Sequence, residues 1–536
     1  MFRGLDSLPC PKHNPGMTQS AQKGAVAAGH PVTADAARVM LEAGGNAYDA
    51  VLAAMCAACV VEPVLASLGG GGFLLAHPGS GKPLLYDFFV QTPRRKQRVE
   101  DTDFRPVMAD FGTAQQEFHI GLGSAATPGM VRGLFEIHRE LGRMPMREIV
   151  APAIEAARNG VRINRLQGYI FGVVAPIYLD TAGARQIYAS RHDAARLPDA
   201  GECLRQPELA DALECLAGEG ERLFYEGEIG VGLVEACRGG GHLDGDDLRG
   251  YRLERRTPLS WVYRDARLFS NPPPSSGGLL IRFAQELLSE IDLCTTNHQS
   301  RLGRPDHVLP LLKVMALTNL ARREAHDAAA TELAPWLLDP ERLARFRAAV
   351  KGHPLQQRGT THISVIDTRG NAASMTLSNG EGCGFVIPGS GIMVNNMLGE
   401  EDLNPQGFHR WAEDVRVSSM MAPTIAERGR ERIVLGSGGS NRLRTAILQV
   451  LVNHLDFGLS LEDAVAWPRV HHERDRVSVE PGLPEETVRA LNAAYPDCHV
   501  WDDLNLFFGG VHAVSFDGRE LRGAGDARRG GAVAIA

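Results

Sequence analysis

The amino-acid sequence predicts a layered α+β sandwich, and three observations carry that expectation. Helical periodicity marks residues 33 to 61 and most of the stretch from about 105 to 350. After residue 360 short alternating or apolar strands take over. Two turn signals, DTRGN and FDGRE, then pair those strands as hairpins, with helical segments lying between them. Strands paired antiparallel and covered by helices form layers around a shared core.

The elements follow in order. In TADAARVMLEAGGNAYDAVLAAMCAACVVEP, Thr33 is placed to cap a first helix and Gly44-Gly45 to close it. Asn46 opens a second helix, and Pro63 lies just past its end. SLGGGGFLL runs from a glycine cluster into a strand, and PLLYDFF reads as the next one. REIVAPAIEAARNG is helical and stops at Asn159-Gly160. NPPPSSGG, residues 271 to 278, interrupts the helical region, because three prolines forbid regular structure there. HISVID, AASMTL, ERIVLGS and VHAVSF are the later strands, and RLRTAILQVLVNHLDFG and SLEDAVAWPRV the later helices.

The 536 residues suffice for one large domain or two to three ordinary ones, with 44% hydrophobic and 22% charged side chains. A net charge of −8 argues against nucleic acid as a partner. The Arg94-Arg95-Lys96 and Arg428 to Arg432 clusters read as solvated faces. Nine cysteines without dense spacing make no disulfide framework, and Cys56 and Cys59, a CxxC inside an apolar run, read as buried helix residues. MFRGLDSLPCPKHNPGM has no apolar signal region, and the run Ala50 to Val61 is too short to span a bilayer. The expectation is a soluble cytoplasmic protein with no membrane partner.

Most chemical motifs are absent: there is no GxxxxGK[ST], HExxH or GxSxG. GSGGSN at 436 to 441 precedes a helix but lacks the dinucleotide fingerprint. His471 and His472 are adjacent on one strand and point to opposite faces, so structural roles suit them better than metal ligation. QQRGTTHIS, residues 356 to 364, admits two readings. One is a loop entering a strand, since Thr favours strands. The other is a cut between Gly359 and Thr360 that makes Thr360 an amino terminus. A Thr hydroxyl needs a base to attack an amide, and an α-amine, with a pKa of about 8, supplies one on the same residue. Gly359 can adopt strained conformations cheaply, so the hydroxyl can attack its carbonyl and form an ester that water opens.

TTHISVIDTRGNAASMTLSNGEG, SGIMVNNMLGEEDLNP, VSSMMAPTI and VLGSGGSNR resemble the small subunit of the γ-glutamyltranspeptidase family. AGGNAYDA, SLGGGGFLL, SAATPGMVRGL, TPLS with NPPPSSGG, and AWPRVHH resemble the same family, in its order, over nearly the whole chain. The resemblance implies the four-layer αββα fold of N-terminal nucleophile hydrolases and self-cleavage into a large subunit, 1–359, and a small subunit, 360–536, that stay associated. It implies a small-molecule amide substrate, with neither metal nor cofactor. Residue by residue, it makes Thr360 the nucleophile and Ser378 a second hydroxyl bonded to it. By the same resemblance Ser418 and Ser419 match the serine pair that holds the carboxylate end of the substrate, and the backbone amides of Gly439 and Ser440 match the oxyanion hole. Thr361 and His362 flank the nucleophile, and a strand reading suffices for them.

Departures concern the glutamyl group. Phe89 stands where the family has the Arg that binds the substrate α-carboxylate, and Phe cannot replace that contact. Met397 replaces a Gln, Glu400 an Asp that binds the α-amine, and Asn379 matches a substrate-binding Asn across a shortened loop. Arg94 or Arg95 could substitute for the missing guanidinium. A less anionic or more apolar acyl group suits this pocket, and the resemblance leaves the acyl group and its acceptor open. The alternative reading is an inactive relative that binds a small molecule; a nucleotide-binding reading ranks below both.

Overall fold

The computed structural model describes residues 22–110, 115–289, 291, 293, 301–325, 333–348, 360–404, 406–439, 442–473 and 476–536. Two antiparallel sheets face each other. The first runs, in spatial order, 532–535, 24–28, 361–367, 372–378, 71–77, 84–88 and 254–256. The second runs 521–524, 510–516, 431–438, 424–428, 266–270 and 259–263. Helices Pro31–Glu42, Ala47–Val61 and Met146–Asn159 pack outside the first sheet; Gly277–Leu288 and Arg442–Leu455 pack outside the second. The result is the four-layer αββα sandwich. No helix among the described residues is long and apolar enough to cross a membrane.

Local chemistry explains most boundaries. Asn46 caps Ala47–Val61 in a capping box with Asp49. In the DTRGN turn, Asp367 Oδ1 accepts the N–H groups of Arg369 and Asn371, and Gly370 takes φ +80°. Asp517 does the same for Arg519 and Glu520 in FDGRE. The first helix differs from expectation. Pro31 fixes its first turn, His30 Nδ1 caps it, and Thr33 lies inside, where its hydroxyl donates to Glu62 at 2.9 Å. The helical region also contains strands, including the hairpin Leu259–Tyr263 with Ala266–Ser270. Arg264 turns it at φ +54°, without the Gly or Asn that marks such turns in a sequence.

Burial divides along the strands. In Thr361–Asp367, Ile363 and Val365 face the helices outside the first sheet. His362 and Ser364, alternating with them, face the second sheet. Cys56 and Cys59 are buried, free thiols in Ala47–Val61.

Candidate active site

Thr360 is buried, one residue before the strand Thr361–Asp367. That strand pairs Thr361 with Leu377, so one step outward Thr360 comes opposite Ser378, which itself pairs with Gly71. The ladder thus sets the two hydroxyl residues side by side at the end of adjacent strands. Ser378 Oγ accepts the Gly380 N–H at 3.1 Å.

A polar seam fixes this end of the sandwich. Ser364 Oγ donates to the His512 carbonyl at 3.0 Å, which leaves His362 Nε2 as donor to Ser364 and Nδ1 as acceptor from Thr376 Oγ1 at 2.8 Å. Burial, helped by His512, holds the His362 pKa well below the ordinary imidazole value, so the ring is neutral. Gly436 of the facing strand gives it room, because a Cβ there would overlap the imidazole. At Gly438 a Cβ would overlap the Thr360 carbonyl oxygen. Gly439 follows with φ +117°, against Gly509 and Arg529. The glycine run therefore lets the second sheet touch Thr360. Ser440 and Gly359 lie outside the described residues.

Two residues that sequence reasoning missed frame Thr360. Arg529 Nη1 donates to the Thr360 carbonyl at 3.3 Å, and Nη2 to the Leu506 carbonyl at 3.4 Å. Burial lowers its pKa to about 10. Glu62, at the end of Ala47–Val61, accepts from Thr361 Oγ1 at 2.7 Å and from Thr33. Burial raises the Glu62 pKa, while those two hydroxyls and the Arg529 charge pull it back. Its one sequence signal is an acid closing a fifteen-residue helix that is buried throughout.

Thr360, Thr361, Glu62, Arg529, His512 and Gly438 line a cleft of about 590 Å³, mouth included, whose other walls include Val64, Leu166, Ile170, Phe171 and Leu506. The remaining expected site residues gather elsewhere. Asn379 is fully buried, and neither atom of its amide has a hydrogen-bond partner among the described residues. Gly380, at φ +62°, brings its backbone against the Asn396 and Glu400 side chains. Ser418 Oγ donates to the Pro274 carbonyl at 2.7 Å, and the Ser419 carbonyl accepts the Ser276 N–H at 2.9 Å. The serine pair is thus docked on the NPPPSSGG loop.

Phe89 is 1% exposed, stacked on Phe73 with centroids 5.3 Å apart, and does not line the cleft; Met397 is equally buried. Arg94 and Arg95 are at the surface, where Arg94 pairs with Asp414. The guanidinium that does reach Phe89 is that of Arg416, another residue missed in the sequence. It donates to the Phe89 and Arg252 carbonyls and the Tyr251 hydroxyl, and faces Asp87 at 3.5 Å. His471 hydrogen-bonds Thr445 and Glu473 at 3.0 and 3.1 Å, a buried structural arrangement.

The four layers are those of an N-terminal nucleophile hydrolase. Cephalosporin acylase from Bacillus halodurans has the same fold, with a TM-score of 0.81 over 99% of each chain at 24% identity. Within that class, the chain belongs to the γ-glutamyltranspeptidase family, whose model, described as Gamma-glutamyltranspeptidase, matches residues 33–536. It is 30% identical over 498 residues to a glutathione hydrolase proenzyme of Escherichia coli K12, covering 85% of this chain and 82% of that one. It is 29% identical over 517 residues to the acylase ACY 1 proenzyme of Pseudomonas sp. SE83, covering 93% and 90%. The family thus joins hydrolases and acylases, and this chain is of that hydrolase and transferase type.

Proposed function

We propose that the chain cuts its own Gly359–Thr360 bond and then works as a threonine-nucleophile amidohydrolase or acyltransferase. Thr360 Oγ attacks the acyl carbon of an amide. The C–N bond breaks, and the hydroxyl proton passes through the Thr360 α-amine to the leaving nitrogen. Water or a second amine then attacks the ester carbon, releasing acid or new amide and returning the proton to Oγ. The Gly439 and Ser440 N–H groups take the oxyanion, and Ser378 steadies the nucleophile. Arg529 holds the backbone through the Thr360 carbonyl.

The observation that carries this reading is the position of Thr360. It heads a central strand, opposite Ser378 and against Gly438, where a cleft opens on it. The buried, unpartnered Asn379 amide next to Ser378 adds a recognition group for a polar atom of the substrate. The test is the intact mass, under denaturing conditions, of the wild type and of Thr360→Ala. Two fragments meeting at Gly359–Thr360 in the first and one chain of 57.9 kDa in the second are expected. A variant that still splits there, or that hydrolyses amides as fast as the wild type, defeats the proposal.

A further inference from the structure

We infer that the cleft opening on Thr360 is an acyl-binding site for an apolar acyl group, an alkyl chain or a ring, rather than for a charged amino-acid side chain. The inference rests on Thr360 being the nucleophile and names the substrate class of that site.

The walls are apolar in a continuous way. Leu166 and Ile170 stand one turn apart on the helix Arg165–Tyr178 and present one face to the cleft, with Val64, Leu65, Phe171 and Leu506 around them. Leu65, Leu166, Ile170 and Leu506 are each only partly buried, so they offer surface that an apolar ligand would remove from water.

The polar residues of the cleft are turned to other work. Asn164 and Gln167 close a capping box on their own helix, and Gln167 Nε2 donates to the Val61 carbonyl. His30 Nδ1 accepts the Val32 N–H, and His512 Nδ1 the Asp526 N–H. Burial lowers both histidine pKa values to about 4, so neither carries charge near neutral pH. Glu62 has an oxygen on each of two threonines, and Arg529 spends one N–H of Nη1 and one of Nη2 on carbonyls. The histidines, the amides and Glu62 are thus engaged within the fold, and Arg529 is held against the Thr360 and Leu506 carbonyls. Arg416, the buried guanidinium beside Phe89, is occupied by carbonyls and Tyr251. The surface left open beside the nucleophile is mainly hydrophobic.

The experiment uses p-nitrophenyl esters of acetic, butyric, hexanoic and octanoic acids on the purified protein, with γ-glutamyl p-nitroanilide for contrast. Intact mass reads the ester that forms when Thr360 Oγ displaces p-nitrophenol, and absorbance reads its rate. Acylation should rise at least about tenfold from acetyl to hexanoyl, as added methylenes enter the cleft. Leu166→Trp or Ile170→Trp, two independent ways of filling it, should abolish that rise. A Thr360 adduct whose rate ignores chain length and both tryptophans overturns the apolar site while leaving Thr360 as nucleophile. So does a γ-glutamyl rate above the hexanoyl rate. Adducts absent from Thr360 altogether overturn the nucleophile itself, and the acyl site with it.

Discussion

Gly438→Ala isolates what the close approach of the two sheets does for Thr360. Gly438 is absent from the residues with positive φ, so alanine brings no backbone strain of its own. The new Cβ would overlap the Thr360 carbonyl oxygen, lie 3.1 Å from the carbonyl carbon and 3.2 Å from Arg529 Nη1. Relief to an ordinary contact needs a shift of about 1 Å between strand and nucleophile. The partner atoms are backbone, held by the strand ladder and by Arg529, so no flexible side chain can absorb the shift. A misplacement of that size at a reacting atom costs about a hundredfold in rate. Overpacking of this kind costs about 1–3 kcal/mol in stability, which leaves the chain folded. Self-cleavage followed by gel densitometry, kcat/KM on the best amide, and Tm measured in a Thr360→Ala background separate the two effects. Gly436→Ala is the control, since its Cβ meets the His362 ring and not Thr360. A Gly438→Ala protein that cleaves itself and turns over within threefold of the wild type would refute the reasoning.

Glu62 and Asn379 give two further tests. Burial raises the Glu62 pKa, so the protonated form is favoured on folding; its stabilisation is complete below the unfolded value of about 4.3 and is lost as pH rises through the folded value. Glu62→Gln cannot ionise, so the Tm of the wild type minus that of the variant should fall steadily as pH rises from about 4, and a flat or rising difference in thermal melts contradicts the assignment. For Asn379→Ala, removing two unpartnered buried amide atoms, each worth about 1–3 kcal/mol, should offset the lost contacts and leave Tm unchanged or higher. The same variant should lose at least about tenfold in kcat/KM if the amide serves substrate; a large drop in Tm would assign it to the fold instead.

Punctuation written in side chains was legible from sequence. Asn46, DTRGN and FDGRE each act through a side chain on backbone a few residues away, so local sequence contains both partners. The hairpin turning at Arg264 was hidden because tertiary pairing with Thr424–Arg428 holds a turn whose positive-φ position carries Arg rather than Gly or Asn. Thr33 looked like a cap, but Pro31 had already fixed the start of the helix, and the Thr33 hydroxyl belongs to Glu62. Around Thr360 the family motifs named residues that each stand inside a short contiguous run of sequence. Glu62, Arg416 and Arg529 escaped because their partners are distant along the chain, and burial of a charge leaves no local periodicity to read.

The sheets also bear on what a cut before Thr360 would do. In the first sheet, strand 24–28 pairs with both 361–367 and 532–535, and strand 71–77 pairs with 372–378. In the second, strand 266–270 pairs with 424–428. Each sheet is therefore woven from both sides of position 360, and the two parts share the core rather than each enclosing one. Separating them would open these ladders and expose the apolar faces between layers, which is equivalent to unfolding. A break at Gly359–Thr360 would remove a covalent bond and none of these contacts. An amino terminus could then be created at the centre of the molecule, already positioned by the strand that follows it, without any refolding to build the site.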